Sequence, residues 1–171
     1  LLKAYKEWNF EKVAEICAAL VNLNPGNLSV KRIQNNAAGL REARDILMEG
    51  PRDEASAALQ NIPENDRDGE VQQAIRSLEN FKAQLSQVAS LIERKIYQEA
   101  EQRLLENLSE FQKKWHLDRS VQPEGVRELR NQIEEAKAEV ADYIRRIQGN
   151  GSYRDVYENA KNLSSYPEKR E

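Results

Sequence analysis

The stretch Trp8-Asn9-Phe10-Glu11-Lys12-Val13 decides the fold of this chain, because its pattern recurs further along the sequence. In each copy an aromatic or polar residue follows a tight turn, and a small or β-branched residue stands three positions later. The other copies begin at Gly50, Lys95 and Gly151. Each copy follows a longer helical pattern and opens a shorter one. This order predicts an all-α fold of consecutive antiparallel helical hairpins.

The composition favours helix and argues against two kinds of partner. The chain has 171 residues, of which only 7 are Gly and 5 are Pro, and this scarcity favours helix almost throughout. Its 26 basic and 29 acidic residues give a net charge of -3, whereas a nucleic-acid surface usually shows a basic excess. No apolar run approaches the roughly 18 residues of a membrane span. We therefore expect neither a nucleic-acid partner nor membrane insertion.

The apolar periodicity predicts about seven helices. We expect Ser29 to cap one of them, and Tyr166 to lie in a frayed, charged tail. The apolar pattern of 71–111 runs on through Lys95, so one uninterrupted helix is the alternative to a turn there, although the recurring phrase favours the turn. The predicted helical segments are 1–7, 11–22, 29–47, 52–61, 71–111 with a turn near Lys95, 126–147 and 153–163.

The spacing of the copies suggests stacked hairpins. Their anchor residues Phe10, Arg52, Tyr97 and Tyr153 are separated by 42, 45 and 56 residues. These separations lie in or near the range of helical-hairpin solenoids, but they drift too much for a regular array. Each hairpin exposes an apolar face that it cannot bury alone, so neighbouring hairpins must stack.

The N-terminal residues carry a resemblance to a known family. The run Tyr5-x-x-Trp8-Asn9-Phe10-x-x-Val13-Ala14-x-x-x-Cys17-x-x-Leu20-Val21-x-Leu23-Asn24-Pro25-Gly26-Asn27 resembles the second half of a tetratricopeptide repeat. Val13 stands where that family prefers Ala, and Trp8 where it prefers Gly, so the turn should differ slightly. The resemblance covers 1–65, and we expect longer, bundle-like helices, continuous with that part, over 66–171.

The resemblance also implies a function. In that family the inner face of the first helix of each hairpin recognises a protein or peptide, and the corresponding polar positions here are Lys31, Asn35 and Arg41. We therefore expect a non-enzymatic scaffold or adaptor segment. The alternatives are a coiled-coil-type oligomerisation module and a helical regulatory region of a larger enzyme.

No constellation of residues favours catalysis, a metal or a cofactor. His116 is the single histidine and has no second ligand at metal-binding spacing, so a surface or helix-end role is expected. Cys17 lies on an apolar stripe, where Cys behaves as a small hydrophobe. The carboxylates Glu134, Glu135 and Glu139 belong to an exposed helix face. We expect no enzyme active site, no metal site and no cofactor.

The clearest stripe of the chain, Val126 to Ile147, could form an intermolecular coiled-coil seam. Its Ala136 and Tyr143 and its length of about three heptads favour packing within the chain, so a monomer is expected rather than a homodimer. Because the chain begins at Leu1 within a helical pattern, we expect it to be a fragment of a longer protein. The sequence favours the cytoplasm only slightly over other compartments.

Overall fold

A computed structural model describes residues 1–49, 52–149 and 152–167. The fold is all-α, as predicted, and these residues contain no strand. The turns expected at Gly50 and Gly151 fall outside the described residues. The helices are α1 (Leu2–Lys6), α2 (Phe10–Leu23), α3 (Leu28–Glu49), α4 (Arg52–Gln60), a short 3-10 helix (Glu64–Asp66), α5 (Gly69–Glu93), α6 (Tyr97–Lys114), α7 (Val126–Gln148) and α8 (Tyr153–Leu163).

Side-chain caps begin several of the helices. Asn9 accepts a hydrogen bond from the Lys12 backbone N–H at 3.1 Å, at the start of α2. The expectation that Ser29 caps α3 is wrong. Helix α3 already begins at Leu28, so the capping position belongs to Asn27. The Asn27 side-chain oxygen accepts a hydrogen bond from the Val30 backbone N–H, three residues further on, at 3.2 Å.

Three helices end at a residue in the left-handed region that is not glycine. Trp8, Lys95 and His116 have φ of 55°, 61° and 50°. Around Lys95 the N–H of Lys95 donates to the Ile92 carbonyl at 2.9 Å, and the N–H of Ile96 donates to the Leu91 carbonyl at 2.9 Å. This pair of bonds forms a Schellman motif. The backbone N–H groups of Trp8 and His116, and of the residue after each, make the same pair of bonds. The turn at Lys95 is therefore confirmed, and the uninterrupted helix is wrong.

The structure falls into two compact units, of which the first comprises 1–81 and 111–124. In it, α1 contacts α2, α2 contacts α3 and α3 contacts α4. The rings of Phe81 and Phe111 stack at 4.0 Å, and the Trp115 indole N–H donates to the Ser77 hydroxyl at 3.2 Å. Both pairs join α5 to α6 or to the residue that follows it.

A polar cluster joins three parts of the first unit. The Tyr5 hydroxyl of α1 donates to an Asp68 carboxylate oxygen at 3.1 Å. The same oxygen accepts from the Glu70 and Val71 N–H groups and so caps α5. The fully buried Asn36 of α3 donates to the Asp66 carbonyl at 2.9 Å. The cluster fixes α1 and α3 against the start of α5.

The second unit comprises 82–110 and 125–171, and its core uses the predicted stripe of α7. Val126, Leu129, Ile133 and Val140 are buried, and α7 contacts α8. The expectation of a frayed tail is wrong at Tyr166, which is 5% exposed. Its ring lies under the Lys95 ammonium at 4.6 Å, and its hydroxyl donates to Glu139 at 3.0 Å. These contacts were not visible in the periodicity, which stops at Leu163.

The sequence resemblance ends near residue 65, and the division into 1–65 and 66–171 stays a prediction about that resemblance. The compact units follow spatial contact instead, so α5 and α6 each contribute residues to both units.

Candidate binding groove

An open groove of about 660 Å³ lies in the first unit. We call it the α3 groove, because most of its lining comes from the exposed face of α3. Helices α2 and α4 supply the remainder. The lining residues are Phe10, Val13, Ala14, Gln34, Ala37, Ala38, Arg41, Glu42, Asp45, Ile46 and Glu54. Its volume lies within the roughly 300–1,000 Å³ of ordinary ligand clefts.

The floor of the groove is apolar. Phe10, Val13 and Ala37 are almost completely buried beneath it, with exposed fractions of 6%, 1% and 4%. Ala14 and Ala38 are exposed and line the groove directly. Because an alanine extends no further than Cβ, these two positions leave a depression where a larger residue would fill the space. The groove can therefore receive apolar side chains from outside.

Charged groups surround this floor unevenly. Asp45 lies 3.6 Å from the Arg41 guanidinium and 3.9 Å from that of Arg44. The Arg44 guanidinium also lies over the Phe10 ring at 5.0 Å from its centroid. Glu42 and Glu54 form no ion pair or hydrogen bond with any other described residue. The rim thus carries one compensated carboxylate and two that are open to solvent.

The three residues predicted as partner-binding positions all lie on α3, and all are exposed. Arg41 lines the groove. Lys31 and Asn35 are outside its lining, but they share a helical stripe with Ala38 because residues three or four apart face the same way. The structure therefore places the three on one face of α3 and brings Arg41 alone into the cavity.

Sequence reasoning missed the apolar part of this surface. Ala14 and Ala38 were not identified, because an exposed alanine resembles any other good helix former. Glu54 was missed because it reaches the groove from α4, through tertiary contact with α3. A signal existed in the sequence, since Ala37-Ala38-Gly39 gives α3 three consecutive small residues in the middle of a long helix.

The residues considered for catalysis are placed elsewhere. His116 is exposed, as expected, and its ring lies 5.5 Å from that of Trp8. Cys17 is fully buried, and burial raises the pKa of its thiol, which disfavours the reactive thiolate. Glu139 accepts hydrogen bonds from Tyr143 and Tyr166, and these bonds lower the pKa of its carboxyl. Among residues 1–49, 52–149 and 152–167, no three His, Cys, Asp or Glu side chains are grouped to hold a metal ion.

Smaller cavities occur in each unit. One of about 180 Å³ lies in the first unit beside Trp8, His116 and Lys114, and one of about 150 Å³ lies in the second unit beside Tyr97, Val140 and Tyr166. Both are much smaller than the α3 groove. In the part of the chain that the structure describes, no helix has the length and apolarity needed to cross a membrane.

Comparison with known proteins gives no family for this chain. No family model, curated protein or solved structure matches it. The groove is therefore interpreted from its own geometry and chemistry.

Proposed function

We propose that this chain is a protein-interaction scaffold that binds a segment of a partner protein in the α3 groove. One observation carries the proposal. Helices α2 and α3 of the first unit leave an apolar floor with exposed Ala14 and Ala38 open to solvent, between charged side chains. A concave apolar surface with a few polar groups around it is the usual form of a recognition site.

The sequence resemblance supports the same face of the molecule. The tetratricopeptide-like residues imply recognition by the first helix of each hairpin, and α3 has that position in the chain. Arg41, which that argument selected, lines the groove. The proposal therefore combines a resemblance and a cavity, each found without the other.

The free energy of binding determines how many apolar side chains the partner must bury in the groove. Burying one Leu, Ile or Phe side chain contributes about 1.5–3 kcal/mol. A dissociation constant of 1 μM corresponds to about 8 kcal/mol, and a part of the burial energy is spent on lost motional freedom. A micromolar partner therefore needs about three or more apolar anchors, which the size of the groove allows.

The test is a display experiment in which random peptides are selected for binding to the whole chain. The variant Ala38→Trp fills the groove with an indole at an exposed position, and Ala14→Trp does the same from α2. The matched control is Ala19→Trp, which adds an indole at an exposed position of α2 outside the groove. We expect peptides that bind the wild type and the control but lose at least tenfold in affinity for both groove variants.

Two results would contradict the proposal. One is the failure of any peptide to be enriched on the wild-type chain. The other is a set of enriched peptides that bind Ala38→Trp and Ala14→Trp as tightly as they bind the wild type, since their binding would then lie elsewhere. Far-ultraviolet circular dichroism of each variant verifies that its helices remain folded.

A further inference from the structure

We propose that the segment bound in the α3 groove is a cationic amphipathic helix, in which Leu-type side chains are flanked by Lys or Arg. The inference rests on the proposed function and adds the chemical class of the partner. It follows from the arrangement of charges on the rim and of alanines on the floor.

The lining of the groove carries more acids than cations, because Arg41 is its one cation against three carboxylates. Of the carboxylates that line the groove, Asp45 is shared by Arg41 and Arg44. Glu42 and Glu54 find no ion pair or hydrogen bond within the described part of the chain. A partner that buries its own surface beside these two groups must either compensate them or leave two carboxylates partly desolvated without a counter-charge, which is costly. Lys and Arg supply that compensation.

Lys31, the other cation on the Arg41 face of α3, does not neutralise Glu42. Lys31 precedes Glu42 on the helix by roughly 16 Å, at about 1.5 Å of rise per residue. That separation exceeds the Debye length of about 8 Å at physiological ionic strength, so salt screens most of the interaction between them. The acidic character of the groove is therefore local.

The apolar floor specifies the rest of the partner. Ala14 and Ala38 are the exposed apolar positions, on two adjacent helices, and their small size allows another helix to approach closely. A helix that lays one apolar stripe into a groove is a common mode of peptide recognition. Its side chains at the edge of that stripe would then face Glu42 and Glu54. The expected pattern is Leu at helical spacing with Lys or Arg on both flanks.

The probes are two fluorescein-labelled peptides of roughly 18 residues, long enough to form a helix. Both carry Leu at the same helical spacing, and the other positions are Lys in one peptide and Glu in the second. Fluorescence anisotropy measures their binding to the whole chain at low salt and at raised salt. We expect the Lys peptide to bind about tenfold or more tightly than the Glu peptide, and the ratio to shrink as salt increases.

Variants separate groove binding from general attraction to an acidic protein. The double variant Glu42→Gln, Glu54→Gln should weaken the Lys peptide severalfold and leave the Glu peptide unchanged or tighter. A matched double variant at exposed carboxylates of α7 outside the groove, Glu134→Gln, Glu135→Gln, changes the net charge equally and should have little effect. Ala38→Trp and Ala14→Trp should each weaken the Lys peptide at least tenfold, and Ala19→Trp should not.

Results that contradict the cationic partner can be distinguished from results that contradict the proposed function. If displayed peptides bind the groove but carry no basic bias, or the Glu peptide binds as tightly as the Lys peptide, the cationic partner is wrong and the scaffold stands. If light scattering shows a dimer that Ala38→Trp abolishes, a second copy occupies the groove, and both the cationic partner and the scaffold are wrong. Equal effects of the two double variants would also overturn the inference. If nothing binds the groove, the proposed function is contradicted itself.

Discussion

Individual residues with unusual backbone geometry carry specific contacts in this protein. Trp8, Lys95 and His116 occupy the left-handed region, which costs a residue with a Cβ roughly 1–2 kcal/mol relative to the right-handed one. Each of the three side chains makes a ring contact: Trp8 with Trp115 at 5.4 Å, His116 with Trp8, and Lys95 with Tyr166. The contacts offset part of the backbone strain, which explains why glycine is not required at these turns.

The backbone strain at His116 predicts an inverted glycine–alanine preference. His116→Gly should give a protein more stable than His116→Ala by about 1 kcal/mol, because both remove the ring and glycine alone relieves the positive φ. At Lys113, an exposed position in the last turn of α6, the order should reverse by about 1 kcal/mol. Urea unfolding of the four variants measures both differences. An alanine variant at His116 as stable as the glycine variant would refute the strain.

A buried hydrogen bond provides a second prediction at this scale. Ser77→Ala should destabilise the protein by about 1–3 kcal/mol, because it leaves the buried Trp115 indole N–H without its acceptor. In a Trp115→Phe background the same substitution should cost much less, since no N–H remains to be satisfied. The free energies of unfolding of this double-mutant cycle give the coupling. A cost of Ser77→Ala that is equal in both backgrounds would show that the hydrogen bond contributes nothing.

Among the helices, α3 and the segment after α4 are held at close range by a glycine. A Cβ added at Gly39 would lie 2.6 Å from Ile62 Cδ1, so the two elements meet where side-chain volume is minimal. Gly39→Ala should therefore destabilise the wild type by about 1 kcal/mol, even though alanine is the better helix former. In an Ile62→Val background, which lacks Cδ1, the substitution should become neutral or stabilising. Thermal unfolding of the cycle tests this, and additive effects would rule out the contact.

The sequence was sufficient to predict the helices, but not to predict the tertiary contacts and the groove that form between them. The break at Lys95 was predictable, because the recurring phrase marks a turn that periodicity alone does not show. Burial of Tyr166 was not predictable, since its partners Lys95 and Glu139 are distant in the sequence. The groove was half predictable: Arg41 follows from the resemblance, whereas Ala38 and Glu54 become a site only when α2, α3 and α4 meet.

At the scale of the whole molecule, buried tyrosines predict loss of stability in alkali. Burial, and then the hydrogen bond to Asp68, raise the pKa of Tyr5. Below the ordinary tyrosine pKa of about 10 both states keep the proton, so the contribution is fully present. Above it the unfolded chain ionises first, and the free energy of unfolding falls as pH rises.

The comparison that isolates Tyr5 uses Tyr5→Phe, which keeps the ring and cannot ionise. Its free energy of unfolding should fall less steeply above pH 10 than that of the wild type, although it is lower near neutral pH because Asp68 loses a donor. Urea unfolding across that pH range measures both slopes, and Tyr166 remains in both proteins and cancels. Parallel slopes would mean that Tyr5 titrates as it does in the unfolded chain.

The central claim is that the α3 groove is the surface this protein uses for binding. The most direct measurement is a nuclear magnetic resonance titration of the isotope-labelled whole chain with a peptide enriched on it by display. The account predicts that the largest backbone amide shifts occur at Ala14, Ala38 and Glu42, with little change at Ala19 or in α8. Largest shifts on any other face, with Ala38 and Glu42 unmoved, would contradict it.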